Sequence, residues 1–252
     1  MIEKVGTKVT ETQVGDRVCG LNFGNFRAFA EYIAVSQDRI YKMPDAVSYE
    51  EAAFMEPVAL AHMSLELTNP TKEQNVLILG QGPLGLVHTQ LFAIAGANIL
   101  AVDVVPARLD LSRRFGAKQV INPKGCNVFK EISNITDHVD IVVEATGSSQ
   151  TVTLLSKLAE RGVRMILFSV WNPEIRQFRV SEKNAEICKV FGANRKDCLA
   201  ALELISQRNV DLSFLVSSRF RLKDIENAYK FALNPCQGKQ DPKAIGALIL
   251  PH

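Results

Sequence analysis

The feature that most constrains the fold of this chain is a glycine-rich turn between two segments of different hydrophobic pattern. Residues 76–79 form an apolar run that predicts a strand, and it is followed directly by Gly80-Gln81-Gly82-Pro83-Leu84-Gly85. After the turn, apolar residues recur at helical spacing on one face. The first glycine permits a tight turn, the second lets the backbone approach a phosphate, and the third lets helix and strand pack closely. The pattern therefore predicts an anion-binding turn at the start of a helix.

A second apolar run, residues 99–102, ends at Asp103, which stands 18 positions after Gly85. This spacing is close to that expected of the carboxylate that hydrogen-bonds the ribose of a dinucleotide. The order of strand, turn, helix and acidic residue predicts dinucleotide binding, with the backbone of Pro83 and Leu84 and the three glycines facing the pyrophosphate. A carboxylate at position 103 favours NAD over NADP. Arg108 leaves three alternatives open, because it could accommodate a phosphate, stack on adenine or be a solvated helix residue.

Apolar runs alternate with helical patterns from residue 75 onward. Strands are predicted at 76–79, 99–102, 139–143, 163–168 and 187–191, and helices from residue 83 and at 106–115, 149–158 and 197–207. The apolar runs are nearly continuous, as in strands that are covered on both faces. The fold class that follows is α/β, a Rossmann doubly wound parallel sheet.

Two further turns of this predicted sheet are candidates for the cofactor site. Thr146 and Gly147 follow one strand, and Ser169 and Val170 follow the next. Because ligands of open α/β sheets bind beyond the carboxyl ends of the strands, we expect both pairs to border the nicotinamide half. The alternative is that both are ordinary strand-to-helix turns, with a serine capping the next helix.

The two ends of the chain have a different character from its centre. Residues 1–50 look β-rich, with alternation over residues 28–35, and the last apolar run, residues 244–250, is expected to return to this region. We therefore predict a partial β-rich domain over 1–50, to which 220–252 returns, and a nucleotide-binding domain over 51–219.

Composition excludes several classes of partner. The net charge of +2 over 252 residues gives no electrostatic basis for binding nucleic acid or an anionic membrane. No apolar run approaches the length of a membrane span, and the N-terminus has no signal-peptide core. The five scattered cysteines form no CxxC pair and no zinc-type cluster, which is typical of reduced thiols. We expect a cytoplasmic location.

A set of short motifs in fixed order runs along the chain. They are Gly15-Asp16-Arg17-Val18, Ala30-Glu31-Tyr32, Glu51-Ala52-Ala53, Glu56-Pro57, the glycine turn, Asp103 and Gly116-Ala117. This set resembles the medium-chain dehydrogenase/reductase superfamily and, more narrowly, is similar to its zinc-dependent polyol and threonine dehydrogenases. The resemblance implies a Rossmann domain beside a co-chaperonin-like β-barrel, and NAD-linked hydride transfer between nicotinamide and a small alcohol or carbonyl substrate. It also implies a homodimer or homotetramer.

The sequence departs from this family at the metal sites. The family's Gly-His-Glu motif and its first zinc-binding cysteine would fall before Met1, and the four-cysteine structural zinc loop is missing. By resemblance, Glu56 stands where the family has a carboxylate facing the catalytic zinc. One glutamate cannot complete a four-coordinate site. We therefore expect a truncated barrel, doubtful zinc binding and impaired hydride transfer in this chain.

Three other functions stay open at this stage. A zinc-free quinone or enone reductase shares the fold, but the form of the glycine turn and Glu56-Pro57 favour the zinc type. A non-catalytic dinucleotide-binding remnant or sensor would keep the Rossmann domain alone. A methyltransferase has a similar cofactor loop, but the third glycine and its helix disfavour it.

Overall fold

The structure is a computed structural model that describes residues 1–21, 28–169, 171–188, 190, 192–233 and 246–250. The chain divides into two compact units, one formed by Met1–Ala59 with Ala193–His252 and the other by Leu60–Gly192. The boundaries predicted from sequence, at residues 50 and 219, follow the alternation of strands and helices rather than compactness, and they stay a prediction.

The described strands are β1 (Val18–Gly20), β2 (Ile40–Lys42), β3 (Asn75–Leu79), β4 (Asn98–Val102), β5 (Ala117–Ile121), β6 (Ile141–Glu144), β7 (Arg164–Leu167), β8 (Glu186–Cys188), β9 (Ser218–Arg221) and β10 (Ala247–Leu250). The α-helices are α1 (Tyr49–Ala52), α2 (Met55–Thr68), α3 (Pro83–Ile94), α4 (Pro106–Arg114), α5 (Val128–Ile135), α6 (Val152–Ala159), α7 (Pro173–Ser181), α8 (Arg195–Ser206) and α9 (Ile225–Leu233). Among the described residues, no helix has both the length and the hydrophobicity needed to cross a lipid bilayer.

The second unit contains a six-stranded parallel sheet in the order β5-β4-β3-β6-β7-β8. Successive residues of β3 enter different clusters, since Val76 and Ile78 pack with Phe92 whereas Leu77 and Leu79 pack with Leu155. Both faces are therefore buried, as the unbroken apolar runs indicate. The α/β prediction is confirmed. The strand order reverses between β3 and β6, which is the switch point where ligands of such sheets bind.

The structure adds elements to this unit that the sequence did not predict. Strand β5 carries the exposed polar residues Lys118 and Gln119 because it lies at the sheet edge, so it lacks the apolar run that marks a central strand. Helices α5 and α7 were also missed. The strand predicted over 187–191 is β8, but Lys189 and Phe191 lie outside the described residues.

The first unit contains two small sheets among its described residues. Strands β1 and β2 pair antiparallel, whereas β10 pairs parallel with β9 and does not extend the six-stranded sheet, as expected of the last apolar run. The strand predicted over residues 28–35 is wrong in this structure, since this segment joins no ladder among the described residues. An alternating pattern forms a strand only beside a partner that takes up its backbone hydrogen bonds. The predicted barrel stays a prediction.

The segment from Tyr49 onward forms two helices, and Pro57 does not cause the break between them. Helix α1 ends at Ala52, and Pro57 lies in the first turn of α2, where its missing N–H costs no helical hydrogen bond. The start of α1 is fixed by a capping box in which Ser48 and Glu51 each accept the other's backbone N–H.

Candidate dinucleotide-binding site

The glycine turn between β3 and α3 has room for no other residue at two of its three glycines. Gly80 has φ +89°, and a Cβ there would lie 2.8 Å from the carbonyl oxygen of Ala145. A Cβ on Gly85 would lie 1.8 Å from the carbonyl oxygen of Gly80. Gly82 is different, because a Cβ on it would meet nothing within 4 Å. Gly80 and Gly85 thus allow the turn to close tightly, and the space above Gly82 is open.

The amide groups that open α3 border this space. Gly82 is the N-cap residue and supplies no side-chain hydrogen bond, and Pro83 at the first position has no N–H to satisfy. The next N–H groups of an α-helix have no carbonyl partner within the helix. The positive end of the helix dipole adds to their attraction for an anion. This geometry suits a pyrophosphate above Gly82.

Asp103 follows β4 and hydrogen-bonds the same turn. Its Oδ2 accepts from the backbone N–H of Gln81 at 2.7 Å, and its Oδ1 accepts from that of Val105 at 2.8 Å. The residue is only 7% exposed. A carboxylate has about four acceptor positions, so two remain for other donors.

Arg108 pairs with this carboxylate rather than with solvent. Its Nη1 lies 3.7 Å from Oδ2 of Asp103, and its side chain is 15% exposed. Of the three alternatives for Arg108, the solvated helix residue is therefore wrong. A contact with phosphate or with adenine stays a prediction.

A buried polar cluster beneath the turn was missed in the sequence. Gln81 is fully buried, and its Nε2 donates to the carbonyl of Ile78. Its Oε1 accepts from the hydroxyls of Thr89, on α3, and Ser112, on α4. Gln81 thereby joins both helices to the turn. Its position between two motif glycines was the available signal, but a single variable position does not reveal which partners a side chain will find.

The turn after β6 lies against the glycine turn. The Cγ2 atom of Thr146 would be 3.1 Å from a Cβ on Gly80. Glu144, fully buried at the end of β6, accepts through Oε1 from the N–H of Thr146 at 2.8 Å and from its hydroxyl at 2.5 Å. Glu144 was not predicted, since a glutamate that ends an apolar run looks like the first residue of a solvated loop.

The turn after β7 is tied to the turn after β6. The hydroxyl of Ser169 accepts from the backbone N–H of Gly147 at 2.8 Å, and Nδ2 of Asn172 donates to the carbonyl of Gly147 at 3.2 Å. The structure thus brings Thr146, Gly147 and Ser169 to the carboxyl edge of the sheet beside the glycine turn. Val170 lies outside the described residues. Whether these residues contact a cofactor stays a prediction.

His88 is buried against the first turn of α3 and is not a candidate for binding a metal or cofactor. Its Nδ1 lies 2.8 Å from the carbonyl oxygen of Leu84, which can only accept, so Nδ1 carries the proton, and its Nε2 lies 3.0 Å from the hydroxyl oxygen of Ser64. The ring also packs on Phe92 and, edge-on, on Phe168. Burial lowers the pKa of His88 to about 4, although its hydrogen bond to Leu84 opposes the shift. The residue is a neutral core histidine.

The described residues of the first unit do not fit a zinc ion. Glu56 is half-buried, and burial raises its pKa. Across the described part of the chain, no three His, Cys, Asp or Glu side chains come together as metal ligands. A four-coordinate site needs at least three protein ligands. Metal binding by Glu56 therefore has no support in the described residues.

The reversal of strand order, the closed glycine turn and the carboxylate after β4 together define a Rossmann-like protein of the dinucleotide-binding class. Within that class, residues 83–207 match the family model Zinc-binding dehydrogenase. The chain belongs to this zinc-binding dehydrogenase family of oxidoreductases, which confirms the resemblance found in its motifs.

One relative in sequence and two solved structures illustrate the match. The chain is 26% identical over 265 residues to the sorbitol dehydrogenase of Bacillus subtilis, a stretch that covers 92% of this chain and 74% of that protein. The 2R,3R-butanediol dehydrogenase of Bacillus subtilis has a TM-score of 0.77 at 24% identity, covering 99% of this chain and 78% of that one. A short chain alcohol dehydrogenase from Escherichia coli CFT073, complexed with NADH, has a TM-score of 0.69 at 20% identity over 84% of this chain.

The chain spans 62% of the length of that NADH complex. At these identities the two structures establish the shared fold and nothing more.

Proposed function

We propose that the second unit binds NAD(H) across the carboxyl edge of its sheet, as the cofactor site of an alcohol or polyol dehydrogenase. The observation that carries the proposal is the contrast within the glycine turn. Gly80 and Gly85 leave no room for a side chain, whereas the space above Gly82 is open and bordered by the first amides of α3. Backbone donors around an open space suit a pyrophosphate group.

The preference for NAD over NADP rests on Asp103. Two backbone N–H groups hold its carboxylate in place, and its remaining acceptor positions suit the two ribose hydroxyls of adenosine. A 2′-phosphate would instead meet the negative charge of Asp103. The nearby Arg108 is already paired with that charge, which reduces the attraction it offers to a second anion.

The reaction that we propose for this site is hydride transfer between nicotinamide and the carbon of an alcohol or carbonyl group. The bound nicotinamide supplies the hydride chemistry, and the residues of this chain bind and orient the dinucleotide. Support comes from the similarity of the chain to the sorbitol dehydrogenase over most of its length. Since the described residues do not fit zinc, we propose that turnover by this chain alone is impaired.

Calorimetric titration with NAD⁺, NADH and NADP⁺ tests the binding proposal. We expect NAD⁺ and NADH to bind with 1:1 stoichiometry and NADP⁺ to bind at least about tenfold more weakly, since an unfavourable charge contact of about 1.4 kcal/mol produces that ratio. Absence of NAD⁺ and NADH binding would refute the proposal. Equal affinity for NADP⁺ would refute the role given to Asp103.

Measurement of turnover on a panel of polyols, with and without added zinc, tests the proposed impairment of catalysis. We expect tight dinucleotide binding with little turnover, the behaviour of the non-catalytic alternative. Zinc-dependent oxidation of a polyol would contradict the proposed impairment, and turnover of quinones or enones in the presence of a chelator would favour the zinc-free reductase. The homodimer or homotetramer stays a proposal that light scattering can test.

A further inference from the structure

Trp171 is an exposed aromatic residue at the edge of the candidate site, and the predicted site does not include it. It is the one tryptophan of the sequence, and 73% of its surface is accessible. Tryptophan normally contributes a large buried apolar area to a fold. Because most of the surface of Trp171 is exposed, its burial contributes little to the stability of the described structure, and the exposed ring needs another explanation.

The ring of Trp171 lies beside Gly147. The Cζ2 atom of Trp171 lies 3.3 Å from the point that a Cβ on Gly147 would occupy. On either side of Trp171, Ser169 and Asn172 hydrogen-bond the backbone N–H and carbonyl of Gly147. Asn172 also caps α7 by accepting from the N–H groups of Glu174 and Ile175. Hydrogen bonds to Gly147 are thus made by residues on both sides of Trp171.

The topology of the sheet says which part of a dinucleotide would reach this ring. Asp103 follows β4, on one side of the switch point, and the pyrophosphate position lies above Gly82 at β3. A dinucleotide that crosses the switch point therefore extends its other half over the turns after β6 and β7. Trp171 borders that end, and most of its surface is accessible to a planar ring.

We propose that Trp171 packs against the nicotinamide ring and strengthens binding of the oxidised cofactor more than of the reduced one. This inference rests on the proposed function of the site. The oxidised ring carries a positive charge, which the electron-rich face of tryptophan attracts, whereas the reduced ring is neutral. Stacking contributes to both forms, but the cation–π attraction contributes to NAD⁺ alone.

Titrations of the Trp171→Ala variant with NAD⁺, NADH and ADP-ribose test the proposal. We expect affinity for NAD⁺ to fall about 3- to 10-fold, with a smaller loss for NADH, in line with exposed cation–π and stacking contributions. Affinity for ADP-ribose, which has no nicotinamide, should change less than about twofold. Because Trp171 is exposed, the variant should melt at the temperature of the wild type. The Tyr32→Ala variant, which removes an exposed aromatic of the first unit, is the matched control and should bind all three ligands normally.

The fluorescence of the wild-type protein gives a second measurement, because its tryptophan emission comes from Trp171 alone. NAD⁺ should quench this emission with the midpoint found by calorimetry, and ADP-ribose should not. Equal losses of affinity for the three ligands in Trp171→Ala, or no loss, would overturn the inference while the proposed function stands. Failure of wild-type protein to bind any of the three would overturn both.

Discussion

The two halves of the candidate site are built in different ways. In the adenosine half, backbone carbonyl oxygens leave no room for a side chain at Gly80 or Gly85, and the Asp103 carboxylate accepts from two main-chain N–H groups. The nicotinamide half is made of side chains that tie two turns together through Gly147. Where backbone atoms approach this closely, only glycine fits. A hydrogen bond from a side chain can instead be replaced by one from another donor or acceptor. The first half should therefore tolerate substitution much less than the second.

The largest effect is expected for Gly85→Ala. Its new Cβ would lie 1.8 Å from a backbone oxygen, which cannot move without displacing the turn. We expect the free energy of unfolding to fall by about 3 kcal/mol or more, at the upper end of the costs of overpacking. Urea denaturation followed by circular dichroism measures this. An unfolding curve equal to that of the wild type would contradict the steric account of the turn.

Gly82→Ala is the matched control for this variant, because its Cβ would meet no atom within 4 Å. Its unfolding free energy should stay within about 0.5 kcal/mol of the wild type, as for a typical surface substitution. Dinucleotide affinity should nevertheless fall at least about tenfold, since the methyl group occupies the space proposed for the pyrophosphate. Loss of affinity without loss of stability separates the two roles of glycine in one turn.

The next largest effect is expected for His88, whose ring contacts Leu84 at the start of α3 and Phe168 after β7. Its pKa is about 4 in the folded chain, against an ordinary value near 6.5 when unfolded. The unfolded chain therefore binds a proton first as the pH falls. The stability due to neutral His88 is complete above pH 6.5 and is lost between pH 6.5 and pH 4. The loss amounts to roughly 3 kcal/mol by linkage.

Urea denaturation of wild type and His88→Gln at pH 7 and pH 4 isolates this contribution, because the carboxylates titrate in both proteins. We expect the stability difference between the two proteins to shrink, by roughly 3 kcal/mol, at the lower pH. A difference that does not change with pH would mean that His88 titrates normally.

The different construction of the two halves also explains which parts of the site could be predicted from the sequence. The glycine turn and Asp103 are visible because steric exclusion leaves glycine at fixed spacing, and the central strands are visible because burial on both faces requires unbroken apolar runs. Thr146, Gly147 and Ser169 were placed from topology alone. Asn172 and Trp171 were missed, since their contacts with Gly147 join turns that lie far apart in the sequence. Glu144 was missed because no local pattern marks a glutamate at the end of an apolar run as buried.

The fold also contains parts that the sequence pattern reveals and parts that it does not. Edge strand β5 has a polar exposed face and was missed, whereas residues 28–35 alternate well and form no ladder among the described residues. Local pattern predicts what a segment can bury, but not whether a partner strand is beside it. The first unit, with its short strands, is therefore less predictable than the six-stranded sheet.

A smaller effect is expected for Asp103→Asn, which replaces one of the two acceptor oxygens by a donor. One backbone N–H, of Gln81 or Val105, then loses a charged acceptor, so the free energy of unfolding should fall by about 2 kcal/mol. Affinity for NAD⁺ should fall as well, and the preference over NADP⁺ should narrow because the negative charge is gone. Paired titrations with the two cofactors measure the change. An unchanged preference would show that Asp103 does not face the ribose.

The smallest effect is expected for Ser169→Ala in the nicotinamide half. The partly buried N–H of Gly147 loses its acceptor, at a cost of about 1 kcal/mol, because the turn can shift and admit water. Ser148→Ala is the control, since its hydroxyl accepts one exposed N–H, from Gln150, and its loss should cost less than about 0.5 kcal/mol. In titrations, Ser169→Ala should weaken NADH binding more than ADP-ribose binding, because it loosens only the turns beside Gly147. A cost as large as that of Gly85→Ala would mean that the two halves are equally constrained, and the distinction between backbone-built and side-chain-built parts of the site would not hold.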